Sequence, residues 1–192
     1  ARGAAASFMI ADLIAQALGP GLGDTGECAR DAGGGSCVPA DLFAAIAELV
    51  GGDERRAREL FERVLPALKG HRRYRLDAGI ETYLAYLYAR AGRRNEAEKL
   101  LAEALEADRR HLASGNEYWS VPFDMACVHA LRGEKDEAFR WLERAVEAGW
   151  RGWPLGTRSP LLDSLRSDER LGRIEARVED LVGQMRRRAG LS

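Results

Sequence analysis

The segment Gly133–Ala148, which reads GEKDEAFRWLERAVEA, recurs in outline at residues 92–107 and more weakly at residues 52–67. Every copy holds small apolar residues at the same offsets with a large apolar residue between them: Ala57, Phe61 and Val64; Ala97, Leu101 and Ala104; Ala138, Leu142 and Ala145. A fixed internal period of about 40 residues is typical of stacked helical repeats. The period therefore predicts a binding scaffold and argues against a catalytic pocket.

Each copy is preceded by a second stretch with helical spacing of its apolar residues, so each repeat is predicted to be a helix pair. A glycine follows the last periodic apolar residue of the first helix in every pair, as a left-handed helix end requires. No run of alternating apolar residues is long enough for a strand, and the fold is predicted to be all-α. The predicted pairs cover residues 39–68, 76–108 and 120–149. The first pair consists of a helix at 40–50 and a second helix that follows the turn at 51–53 and ends near residue 68. The second pair has helices at 77–90 and 94–107, and the third has helices at 122–131 and 135–148.

The segments outside the pairs are predicted to form two further units. In residues 1–38, apolar residues at helical spacing predict an N-terminal helix, Ala4–Leu18, followed by a glycine-rich loop. That helix either packs on the edge of the first pair or lies in the groove as a built-in ligand. In residues 150–192, Ser159 and Ser167 are predicted to cap a short helix and a longer final helix. The final helix carries one apolar stripe and is expected to cover the open end of the stack.

Composition excludes several classes of function. The chain has 192 residues, of which 46% are hydrophobic and 31% charged, and its net charge is −1. A balanced charge does not favour nucleic acid or an anionic membrane surface, and the clusters of arginine are interpreted as a solvated rim. No apolar run approaches the ~20 residues that span a bilayer. The protein is predicted to be soluble, either cytoplasmic or exported, and its first residue, Ala1, suggests a processed or excised piece.

The second and third pairs resemble the tetratricopeptide repeat family. Small residues where two helices cross, a turn glycine and large apolar residues between them fall on this family's pattern: Leu84, Ala85, Tyr88, Gly92, Ala97, Leu101 and Ala104 in the second pair, and Met125, Ala126, Gly133, Ala138, Leu142 and Ala145 in the third. The first pair fits less well. The resemblance implies a right-handed α-solenoid of about three helix pairs, with an extra N-terminal helix and a C-terminal capping helix.

Members of this family generally bind proteins through the inner face of the first helix of each pair. The resemblance therefore implies a protein or peptide ligand, and its inner-face candidates are Thr82, Tyr83, Tyr86 and Arg90 in the second pair and Phe123, Asp124, Cys127 and Leu131 in the third. Aromatic and arginine residues in a groove suit recognition of an extended peptide or a helix. The alternative is that Tyr83 and Phe123 pack against a neighbouring repeat.

No residue pattern predicts catalysis, a cofactor or a metal site. Cys28 and Cys37 flank the glycine-rich loop and either form a disulfide or remain free thiols. The GxGxxG match at residues 21–26 lacks the preceding strand and following helix of a nucleotide site, and no spacing of Cys and His suits zinc. His129 and Cys127 are two residues apart and do not share a helix face.

The leading prediction is a protein-binding scaffold without turnover of its own. The alternative, from a different class, is a non-catalytic accessory or regulatory region of a larger multidomain enzyme or signalling protein. The identity of the partner and the oligomeric state stay open at the level of sequence.

Overall fold

The computed structural model describes residues 38–68, 77–115, 118–152, 156 and 159–190. These residues form seven α-helices and one 3-10 helix, and no strand occurs among them. The all-α prediction is therefore confirmed. The α-helices are α1 (Val38–Gly51), α2 (Glu54–Leu68), α3 (Ile80–Arg90), α4 (Arg94–Ala113), α5 (Ser120–Arg132), α6 (Lys135–Glu147) and α7 (Glu169–Arg188), and the 3-10 helix, Pro160–Leu165, lies between α6 and α7.

The hinge within each helix pair is built in the same way. Gly52, Gly92 and Gly133 have φ angles of 90°, 79° and 78°, a region that residues with a Cβ rarely adopt. Each glycine N–H donates to the carbonyl three residues earlier, and the next N–H donates to the carbonyl five residues earlier. These two bonds define a Schellman motif, which satisfies carbonyls at the end of the first helix and turns the chain back.

The helices stack in chain order. Successive helices from α1 to α7 pack against each other, and α3 also contacts α5. Ala57, Ala97 and Ala138 are almost completely buried, and so are the large residues Phe61, Leu101 and Leu142. Small side chains let adjacent helices approach closely while the large ones fill the space between ridges.

The chain after the third pair packs on that pair. The 3-10 helix contacts α5, and its Leu161, Leu162 and Leu165 have no exposed surface. Helix α7 contacts α6 and buries Leu171, Ile174 and Val178. The end of the stack is thus covered by one short and one long helix.

Most helix ends lie within three residues of the prediction, and two differences have an identifiable cause. Helix α4 continues to Ala113, whereas residues after 107 were expected to be a connector. Asp108 occupies an apolar position of the helical pattern and is buried, which hid the continuation. The cap of α7 is Asp168 rather than Ser167, because the Asp168 carboxylate accepts from the Arg170 N–H at 3.0 Å.

Several predicted features lie outside the described residues. They are the N-terminal helix Ala4–Leu18, the glycine-rich loop with its GxGxxG match, the Cys28–Cys37 pair and the connector at 69–75.

A larger side chain where α5 and α6 of the third pair cross tests the predicted repeat register. Ala138 has no exposed surface, so Ala138→Leu is expected to lower the free energy of unfolding by about 1–3 kcal/mol. Ala102 is an exposed alanine in the middle of α4, and Ala102→Leu should stay within about 0.5 kcal/mol of wild type. Urea unfolding followed by circular dichroism measures both. Equal unfolding midpoints for the two variants would show that the register is wrong.

Candidate protein-binding surface

The structure buries most of the predicted inner-face residues. Tyr86 and Leu131 are half-buried and Arg90 is exposed. The other five side chains are fully enclosed: Thr82, Tyr83, Phe123, Asp124 and Cys127. Within the predicted set, side-chain surface for a partner is therefore concentrated at the C-terminal ends of α3 and α5.

Tyr83 packs at the interface between the first and second pairs. Its ring stacks on Phe61 of α2, with centroids 5.5 Å apart and planes inclined by 8°. Its hydroxyl donates to Asp77 Oδ1 at 2.5 Å. Burial and the nearby Asp77 charge raise the pKa of the Tyr83 hydroxyl well above its usual value. The phenol therefore stays protonated and serves as a fixed donor inside the stack.

The inner face of the third pair is covered by the chain's own C-terminal part. Phe123 stacks on Trp150 with a centroid distance of 4.8 Å. The leucines of the 3-10 helix belong to the same apolar cluster as Phe123 and Cys127, and Ser164 Oγ donates to the Ala130 carbonyl at 2.8 Å. This covering explains why Phe123 and Cys127 at inner-face positions of α5 have no solvent contact, whereas Leu131 near the end of the helix keeps some.

Buried carboxyl groups surround the start of α3. A Cβ at Gly79 would lie 2.8 Å from Asp124 Oδ2, so only glycine allows this approach. The pKa of Asp77 is raised to about 6, mainly because burial disfavours the carboxylate, and the Asp124 charge adds to the rise. Hydrogen bonds from Tyr83 and from the Ala78 N–H oppose the shift. At neutral pH this site holds a charge at a considerable cost in stability.

The surroundings of Cys127 favour its thiol form over the thiolate. Burial first, and then the charges of Asp124, Asp77 and Asp108, raise its pKa well above the usual value. The thiolate is the reactive form of cysteine, and it is disfavoured here.

The open part of the inner face is a small mixed-charge surface, here called the inner patch: Glu54, Tyr86, Arg90 and Asp163. Arg90 Nε donates to Glu54 Oε1 at 2.9 Å, and the Arg90 side chain remains 59% exposed. Partial burial, with the Glu54 and Asp163 charges, raises the pKa of Tyr86, and Arg90 opposes the shift. The inner patch thus combines charged residues from the first pair, the second pair and the 3-10 helix with one half-exposed aromatic ring.

Sequence reasoning missed Trp150 and Asp77, although a local signal existed for Trp150. Gly149 has φ 106°, and the Trp150 N–H donates to the Ala145 carbonyl at 2.8 Å, so α6 also ends in a Schellman motif. An apolar residue directly after such a glycine commonly packs back on its helix. Asp77 carries no comparable signal, because a single Asp before a helix is more often a surface cap.

The described residues contain neither a cluster suited to a metal ion nor a helix suited to spanning a membrane. No group of three or more His, Cys, Asp or Glu side chains in that part of the chain is placed to hold a metal ion. Among the same residues, no helix is both long and apolar enough to cross a membrane.

The stacked pairs, their small-residue crossings and their glycine hinges define a helical-repeat protein. Residues 82–114 match the family model of the tetratricopeptide repeat, and this segment runs from the first turn of α3 to the residue after α4. The predicted family resemblance is thereby confirmed. A repeat of this family supports a protein-interaction scaffold in general and is generally non-catalytic. No curated protein and no solved structure matches the chain.

Proposed function

We propose that this chain binds a protein or peptide partner at the inner patch, with Tyr86 as the central contact. The observation that carries the proposal is the environment of Tyr86, a half-exposed aromatic ring close enough to Arg90, Glu54 and Asp163 for their charges to shift its pKa. Tyrosine and arginine are enriched among the residues that dominate binding energy at protein interfaces.

The charges around Tyr86 suit a polar segment with at least one apolar side chain. Both side chains of the Arg90–Glu54 ion pair are partly exposed to solvent, so the pair contributes little to the stability of the free protein. A partner carboxylate can therefore replace Glu54 on Arg90 at small cost, while its apolar neighbour covers the Tyr86 ring. An extended peptide or one face of a helix has this shape.

Truncation of Tyr86 tests the proposal. Tyr86→Ala is expected to weaken the captured partner's binding by about 2 kcal/mol, which corresponds to roughly 30-fold in Kd. The measurement is quantitative affinity capture from lysate of the source organism, followed by titration of the protein retained by wild type. Circular dichroism of the variant should match that of wild type, since Tyr86 is only half-buried.

Tyr88 provides the matched control on the same helix. It is also half-buried, but it lies two residues away and faces Glu62 of α2, with the Arg93 guanidinium 3.8 Å from its ring centroid. Tyr88→Ala should leave partner binding within about two-fold of wild type. Equal losses for both variants, or no loss for Tyr86→Ala, would remove the inner patch from the account.

A further inference from the structure

A second concave surface lies between α4, α5 and α6, and is here called the outer groove. It consists of two cavities of about 470 and 230 Å³, which share Leu112 as a lining residue. The larger cavity is lined by Arg109, Leu112, Met125, His129, Glu137 and Trp141. The smaller cavity is lined by Leu112, Pro122, Arg144, Glu147 and Ala148.

The outer groove is separate from the inner patch. His129 lines it, whereas Cys127, two residues earlier on α5, belongs to the buried cluster under the 3-10 helix. Residues two apart on a helix point about 200° from each other. A ligand in the outer groove therefore approaches α5 from the side opposite to the inner face.

The apolar part of the outer groove is open to a ligand. Trp141 and Leu112 are half-buried, so each retains surface toward solvent, and Met125 lies beneath them as a buried side chain. A half-exposed indole beside aliphatic surface suits an apolar anchor from a partner.

The charge available in the outer groove is mainly positive. Arg109 makes no side-chain hydrogen bond or ion pair with any residue that the structure describes, and among the same residues the Arg144 guanidinium interacts with the Trp141 ring alone, 5.3 Å from its centroid. The carboxylates at the larger cavity already have partners, because Glu137 pairs with Arg140 and Glu134 pairs with the His129 ring. Glu147 in the smaller cavity has no such pair within the described part of the chain.

We propose that the outer groove is a second recognition surface, which binds an acidic, amphipathic segment of a partner protein. Carboxylates of that segment pair with Arg109 and Arg144, and an apolar side chain between them packs on Trp141 and Leu112. Arginine forms two parallel hydrogen bonds to a carboxylate, which gives such a contact direction as well as attraction. This surface goes beyond the proposed function, since the inner patch needs neither arginine.

The test uses the full chain and a defined probe, a blocked peptide of about twelve residues composed of Glu, Asp, Leu and Phe with its apolar residues at helical spacing. Titration is followed by the indole N–H resonance of Trp141 in a ¹⁵N correlation spectrum. We expect saturable movement of that resonance and weaker binding of at least about ten-fold in Arg109→Glu/Arg144→Glu.

The matched control is Arg94→Glu/Arg177→Glu, which makes the same change in net charge at two exposed arginines outside the outer groove. Its affinity should stay within about two-fold of wild type at 0.15 M salt, where distant charges are screened. Three results would overturn the proposal: no saturable shift, an equal loss in both double variants, or equal binding of a peptide with Lys in place of every acidic residue.

Discussion

Trp150→Ala is expected to lower the free energy of unfolding by about 3–5 kcal/mol, as removal of a large buried aromatic side chain does. Trp150 is 1% exposed and stacks on Phe123 at 4.8 Å, which ties the end of α6 to the inner face of α5. Loss of the ring leaves a cavity in the apolar cluster that Trp150 shares with Phe123 and the leucines of the 3-10 helix. Urea unfolding followed by far-ultraviolet circular dichroism measures the change.

Trp141 provides the control for the size of the side chain. It is half-buried on the same helix and lies in the outer groove. Trp141→Ala should therefore cost clearly less than Trp150→Ala, since less apolar surface returns to water. If the two variants lost the same stability, Trp150 would not be the contact that fastens the C-terminal part to the third pair.

Asp77→Asn is expected to make the protein more stable than wild type at pH 7 and nearly equal to it at pH 4. Burial raises the pKa of Asp77 from 3.8 to about 6 in the folded chain. A carboxyl group with a raised folded-state pKa contributes its full stability below the unfolded pKa and loses it as the pH rises through the folded pKa. A shift of this size corresponds to about 3 kcal/mol in total, most of which is lost between pH 4 and pH 7.

The substitution Asp77→Asn removes the charge of the carboxylate while it keeps an oxygen that accepts hydrogen bonds. The asparagine carbonyl oxygen can accept from the Tyr83 hydroxyl and the Ala78 N–H, as Asp77 Oδ1 does. The measurement is the difference in free energy of unfolding between wild type and variant across this pH range, which cancels groups common to both, such as Asp168 with its lowered pKa. A wild type that gains stability relative to the variant between pH 5 and pH 7 would show that the carboxylate is stabilised in the folded state.

The features of the fold that depend on a local sequence pattern were predicted correctly. The hinges at Gly92 and Gly133 follow from a glycine placed directly after the last apolar residue of a helix, and both adopt the left-handed conformation. The crossings at Ala97 and Ala138 follow from the repeated spacing, and both alanines are buried. By contrast, the continuation of α4 past residue 107 could not be predicted, because Asp108 is a polar residue that tertiary packing buries at an apolar position of the pattern.

The surface was less predictable than the fold, because exposure depends on what other segments cover. The repeat pattern assigns Phe123 and Cys127 to the inner face, but it cannot report that the 3-10 helix and Trp150 pack there. Tyr83 likewise turns toward Phe61 and Asp77, whereas Tyr86 on the same helix keeps solvent contact. The outer groove requires residues from three helices, which no single periodic pattern brings together.

The most direct test of the scaffold account is site-specific photo-crosslinking with benzoylphenylalanine at position 86 or at position 88, in cells of the source organism. Both positions carry a half-buried tyrosine on α3, so the two substitutions are equally conservative and differ in the face they present. The account predicts a discrete adduct with one partner protein at position 86 and none at position 88. An absence of adducts at position 86, or the same adduct at both positions, would contradict binding at the inner patch.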